Sequence, residues 1–194
     1  MNYPLQLTFK ILAFASQVSV ADAQGNLIFY VKQKMFKLKE AVNIFADEQQ
    51  TQQVYQINAD KVIDFSARYY FTDRNGQQVG SVKRQGMKSI WKARYDIMAG
   101  ETPVMQIAEE NPWTKVFDAL FNELPIVGMF TGYVFNPTYL VSHTNGAPLM
   151  RLTKQPSFFG GKFGIEKLAD MPPEEETRAV LSLLMMVLLE RRRG

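Results

Sequence analysis

Apolar and polar residues alternate from the first segment of the chain onward. Leu5, Leu7, Phe9, Ile11 and Ala13 fall on one parity, and Gln6, Thr8 and Lys10 on the other. A period of two sorts these sets onto opposite faces of a strand, so a first strand is predicted from Leu5 to Ala13. The same rhythm returns behind a recurring polar turn. Asp22-Ala-Gln-Gly-Asn leads into Leu-Ile-Phe-Tyr-Val-Lys32; Asp73-Arg-Asn-Gly leads into Gln-Gln-Val-Gly-Ser-Val-Lys83. His143-Thr-Asn-Gly leads into Ala-Pro-Leu-Met-Arg-Leu-Thr-Lys154, and Asp47 to Asn58 repeats the pattern without the glycine. Asn75-Gly76 and Asn145-Gly146 are hairpin signals, because both residues tolerate positive φ. Spacings of roughly 25 residues predict stacked hairpins of one sheet rather than separate domains.

Two segments break the alternation. Trp113, Val116, Phe117, Leu120, Phe121 and Leu124 recur at helical spacing behind Asn111-Pro112, a suitable N-cap and first helical residue. Lys115, Asp118, Asn122 and Glu123 lie mostly on the other face, and Pro125 stops the helix. The second segment, Ala179 to Leu189, is apolar on every face, which marks a helix surrounded by protein. As a helix it rises about 16 Å, against the roughly 30 Å core of a bilayer. Pro172-Pro173 and Glu174 to Glu176 suit its start, and Arg191 to Arg193 its end.

A many-stranded antiparallel sheet must hide its edges, and a wholly apolar helix needs a container. A closed barrel with the last helix along its axis satisfies both; a sandwich capped by the helix is the alternative. The chain of 194 residues, 46% hydrophobic and 21% charged, supports a single domain with one core. The expected organisation is one domain over 1–194, with a helical insertion at 111–130 and the apolar helix at 172–190. Ala13-Phe14-Ala15 is similar to a signal cleavage site. However, Lys10 lies inside the apolar stretch, and the run after it is about five residues where a signal core needs roughly 7–15. A strand is the expected reading.

Composition narrows the chemistry. There is no Cys and one His, which excludes disulfides, thiolate catalysis and multi-histidine metal sites. His143 beside Ser142 is not a triad, since a base must reach its nucleophile across space. Gly160-Gly161-Lys162 lacks the spacing of a phosphate-binding loop and reads as a tight turn. Glu174 to Glu176 read as a helix start rather than a cation site. No catalytic residues, metal or cofactor are expected.

Charge is more informative. From Asn26 to Arg94 there are twelve Lys or Arg against six Asp or Glu; from Tyr95 to Glu190 the counts reverse. Arg84, Lys88, Lys92 and Arg94 share one parity and are expected on one face, as are Lys32 and Lys34 on an earlier strand. This basic stripe is a candidate site for anionic ligands. Nucleic acid is not expected, because the acidic half would repel it and no recognition motif is present.

The units Asp22 to Val31 and Phe71 to Arg84, followed by Trp91, resemble the LURP-one-related proteins. Phe163-Gly164-Ile165, an acidic stretch and the apolar helix look like the end of phospholipid scramblases. The resemblance implies the tubby C-terminal-like fold, a barrel of about twelve strands around a central hydrophobic helix, with Trp113 to Phe130 as an insertion. Scramblases carry acidic residues just before their Phe-Gly-Ile, proposed to bind calcium, and palmitoylated cysteines. Here Gly160, Gly161 and Lys162 occupy that place and there is no Cys. The resulting expectation is a cytoplasmic, non-enzymatic protein that binds anionic phospholipid headgroups peripherally. Lys32, Lys34, Arg84, Lys88, Lys92 and Arg94 are its candidate contacts. Trp113, Phe117 and Phe121 are candidate membrane or partner anchors; the alternative is a soluble module whose helix 113–124 docks a protein or a second copy.

Overall fold

Asp22, Asp73 and His143 open turns built on one plan. The carbonyl of each accepts the N–H of the residue three further on, Gly25, Gly76 or Gly146, at 2.9–3.0 Å. Each also donates its own N–H four residues on, to Asn26, Gln77 or Ala147. The three glycines take φ of 84°, 80° and 91°, which suits a type I turn closed by a glycine bulge. The register shifts at Val20/Ala21, Phe71/Thr72 and Val141/Ser142 are those bulges. Only the glycine of each Asn-Gly pair has positive φ, so these are not the two-residue turns that the dipeptide favours. Side chains secure the turns: Asp22 Oδ1 accepts Gln24 N and Asn26 N, and Asp73 Oδ1 accepts Asn75 N and Gln77 N. In the glycine-free copy Gln50 itself takes the positive φ, 62°.

The computed structural model describes residues 1–12, 15–34, 41–61, 67–85, 94–110, 138–157 and 161–191. Twelve strands form there: β1 Leu5–Leu12, β2 Ala15–Ala21, β3 Leu27–Lys34, β4 Val42–Phe45, β5 Gln53–Ala59, β6 Arg68–Asp73, β7 Gln78–Arg84, β8 Arg94–Ala99, β9 Thr102–Glu109, β10 Thr138–His143, β11 Pro148–Gln155 and β12 Gly161–Lys167. Each pairs antiparallel with the next, and β1 pairs with β12, from Leu5 opposite Ile165 to Phe9 opposite Gly161. The sheet therefore closes and leaves no free edge strand. One helix, α1 (Pro173–Arg191), follows. The barrel, rather than the capped sandwich, is the architecture.

Along each strand the inward parity is apolar. Leu5, Leu7, Val18, Val20, Ile57, Phe71, Ile97, Ile107, Leu152 and Ile165 belong to one buried cluster with α1. Ala179 through Leu188 are all buried, Ser182 included. A helix with ten consecutive buried residues has no face to water, so it runs inside the barrel. Ser182 satisfies its hydroxyl locally by donating to Arg178 O at 2.8 Å. The predicted helix at 111–130 lies outside the described residues.

Candidate functional site: the rim opposite the hairpins

Antiparallel order sorts the connections between two ends of the barrel. Even-numbered strands run into the turns at 22–26, 46–52, 74–77, 100–101 and 144–147, and β12 leads into α1 at that same end. Odd-numbered strands finish at the opposite rim, where α1 also finishes. The exposed charges follow this division. At the far rim the exposed charges among the described residues are Lys10, Lys32, Lys61, Lys83 and Arg94, against Asp60. At the hairpin rim they are Glu48, Glu101, Glu166, Asp170 and Glu174, against Arg74. The polarity runs along the barrel axis, whereas the sequence suggested a split between halves of the chain. Each strand passes from one rim to the other, so chain halves and barrel ends do not coincide.

Lys10 and Lys32 flank Gln17 on β2, one on each side, so three adjacent strands carry two outward cations. Lys34 ends β3 opposite Ala15. Arg94 is exposed beside Lys83 and Gln85, and the Gln85 Nε2 donates to Asp96 Oδ1 at 2.7 Å. Arg84 does not join them. It pairs with Tyr95, a buried inward residue, so Arg84 and Arg94 lie on opposite faces of the wall. The single-face stripe is corrected here. Shared parity holds only within one strand, and the β7–β8 register pairs even positions with odd ones. Lys88 and Lys92 lie outside the described residues, as do Trp91, Trp113, Phe117 and Phe121.

The inward face of this rim carries polar side chains on four adjacent strands: Arg84, Tyr95, Glu109 and Tyr139. The Arg84 guanidinium lies 6.0 Å from the centre of the Tyr95 ring. The Tyr95 hydroxyl donates to Glu190 Oε1, near the end of α1, at 2.5 Å. Tyr139 pairs with Glu109. Burial pushes the Tyr139 phenol up to about 12; Glu190 and Glu109 add to the shift, and Arg84 opposes it. The phenol is therefore neutral at physiological pH. Sequence reading missed this mouth because Tyr95, Glu109, Tyr139 and Glu190 are scattered along the chain; the buried alternation of β8 was the only local signal.

Other charged groups are committed to structure. Arg68, 8% exposed, donates from Nε to Ser81 Oγ at 2.7 Å and grips Glu101 with Nη1 at 2.7 and 2.9 Å. Its other terminal nitrogen bonds Gly100 O, and its guanidinium stacks over Tyr70. Arg151 joins Glu110 at 3.2 Å. Glu176, 7% exposed in the first turn of α1, faces Lys167 and the Met1 amino group at 3.8 and 3.6 Å. Among the described residues no group of three or more acidic or histidine side chains is placed to hold a metal ion. No described helix is long and apolar enough to cross a membrane.

No curated protein and no solved structure matches the chain. The LURP-one-related family matches residues 27–165, from the first residue of β3 into β12 and well over half the chain. With the units Asp22 to Val31 and Phe71 to Arg84 each in place as a turn and strand of the barrel wall, the chain belongs to the LURP-one-related family.

Proposed function

We propose that the far rim docks on anionic phospholipid headgroups at a membrane surface, and that the protein is a peripheral binding module with no chemistry of its own. The observation that carries this reading is the segregation of exposed charge between the two rims. A cation near an anionic leaflet contributes about 1 kcal/mol, so five give attraction in the sub-millimolar range. The acidic rim is repelled by the same field, which turns the barrel axis toward the surface. The anionic leaflet of a cell faces the cytoplasm, so this reading goes with a cytoplasmic protein. The similarity of Phe163-Gly164-Ile165 and the apolar helix to phospholipid scramblases, and of the barrel to tubby C-terminal domains, points the same way.

Co-sedimentation with phosphatidylcholine vesicles, with and without phosphatidylserine, tests it. Binding that needs phosphatidylserine and weakens with salt is expected. Equal binding to neutral vesicles, or none to either, rejects the reading.

A further inference from the structure

We propose that Arg84 and Tyr139 form a phosphate-binding place inside the barrel mouth, fitted to a headgroup with one phosphate rather than several. It deepens the reading above and rests on it for the source of the ligand. The geometry is its own. Arg84 and Tyr139 sit on β7 and β10, facing inward at the rim where α1 ends. The Arg84 guanidinium lies 6.0 Å from the Tyr95 ring centre, and its Nε is buried with no hydrogen-bond partner. Buried polar nitrogens are nearly always paired, and an unpaired one costs about 1–3 kcal/mol. A guanidinium presents a planar fork that matches phosphate oxygens, and its stacking on a ring holds the fork in place.

In the same mouth the Glu190 carboxylate accepts the Tyr95 hydroxyl, and Glu109 stands opposite Tyr139. Strands β7 and β10 are three apart, roughly 14 Å of wall, which two long inward side chains can span around one phosphate. The neutral Tyr139 phenol has a hydrogen to donate. Glu109 and Glu190 set the selectivity: a second phosphate in the mouth would meet their negative charge. The outward lysines read surface charge, whereas Arg84 and Tyr139 read one phosphate group.

The test uses the full chain and the variants Arg84→Lys, Tyr139→Phe and, as control at the opposite rim, Arg74→Gln. Vesicles of phosphatidylcholine carry either phosphatidylserine or a phosphatidylinositol bisphosphate, matched in total charge. A third arm replaces vesicles with free glycerol 3-phosphate, followed by nuclear magnetic resonance. At high salt, where outward charges are screened, Arg84→Lys should lose about tenfold of phosphatidylserine binding, the value of one strong charged contact. Tyr139→Phe should fall in the same direction, and Arg74→Gln at the hairpin rim should match the parent protein. All three should melt at the parent temperature.

Parent-level binding by Arg84→Lys at high salt overturns the proposal, as does tighter binding of the bisphosphate at matched charge. If the parent protein ignores every vesicle but binds glycerol phosphate through Arg84, the membrane reading fails and the phosphate place stands, with a soluble ligand. If it binds vesicles and all mouth variants are silent, the membrane reading stands and the phosphate place falls. A loss of melting temperature in Arg84→Lys without a binding change would assign Arg84 to fastening the end of α1, and also overturns it.

Discussion

Arg178 of the central helix lies directly across Gly80 of the wall. Its Nε donates to the neighbouring Val79 carbonyl at 2.9 Å, and a Cβ at position 80 would stand 2.7 Å from its Cδ and Nε. Gly80 also has φ of 155°, which residues with a side chain rarely adopt. Wall and helix are thus keyed together at one glycine. Gly80→Ala should cost roughly 2–4 kcal/mol by urea denaturation, through the clash and the backbone strain. Arg178→Ala removes the obstructing side chain. The double variant should lose less than the two singles together, because the clash needs both partners. Additive losses would show that Arg178 does not press on this site.

The helix itself is the largest single contributor to the core. Nine apolar side chains between Ala179 and Leu188 are buried. At about 1.5–3 kcal/mol for each large one, their gross contribution exceeds the 5–15 kcal/mol net stability of a typical domain. Truncation after Thr177 should leave a chain without a cooperative melting transition in circular dichroism. Leu184→Ala, which keeps the helix but opens a hole, should cost about 2–5 kcal/mol. A truncated protein that remained monomeric and melted cooperatively would refute the central-helix arrangement.

The turn opened by Asp47, which has no glycine, permits a cleaner test. Gln50 stands where Gly25, Gly76 and Gly146 stand, and takes the same left-handed backbone. A side chain there strains the backbone by roughly 1–2 kcal/mol, partly offset by glycine's greater freedom when unfolded. Gln50→Gly should therefore raise stability by about 0.5–1 kcal/mol, and Gly76→Ala should lower it by a similar or larger amount. A neutral or destabilising Gln50→Gly would mean that the turn gains from the glutamine side chain.

The strand periodicity of Leu5 to Phe9, the repeated turns and the all-apolar helix were legible because each is a local pattern with a local cause. The barrel closure was legible only as one of two containers for the helix, since the β1–β12 pairing joins the two ends of the sheet. The rim charges could not be read as a pattern. Lys10, Lys32, Lys83 and Arg94 are neighbours on a rim only after antiparallel order brings alternate strand ends together. Arg84 was assigned the wrong face for the same reason: the register opposite Tyr95, not the numbering, decides where it points. The mouth residues meet only through tertiary structure, with Glu190 arriving from the helix and Tyr139 from a strand fifty residues earlier.

Tyr139 supplies a pH test. Its phenol ordinarily titrates near 10, and in the fold near 12, because burial and the Glu190 and Glu109 carboxylates oppose its charge. Between these values the unfolded chain has lost the proton and the folded chain retains it. Stability is therefore full below pH 10 and falls as pH rises toward 12. Tyr139→Phe should remove this part of the alkaline loss, so its stability curve should be flatter than the parent's over that range. Tyr3, also raised by burial and by Glu176, is present in both proteins and cancels in the comparison. Identical slopes would show that Tyr139 is solvated at the mouth.

The polarity of the two rims gives the broadest prediction. Changing Lys10, Lys32, Lys83 and Arg94 to Gln removes four exposed cations from the far rim and none from the hairpin rim. At about 1 kcal/mol each near an anionic leaflet, their combined removal should weaken phosphatidylserine vesicle binding at least tenfold. The slope of binding against salt should flatten with it, since screening acts on the same interaction. Melting temperature should hold, because exposed charges contribute less than about 1 kcal/mol each to folding. The matched control is Glu48→Gln with Glu174→Gln at the opposite rim. If net charge alone drives binding, this control should strengthen it as much, charge for charge, as the far-rim variant weakens it. If the barrel docks by one end, the control should have little effect, because its rim faces away from the surface by more than a Debye length. Equal and opposite effects from the two rims would reject oriented docking and leave a diffuse attraction with no defined face.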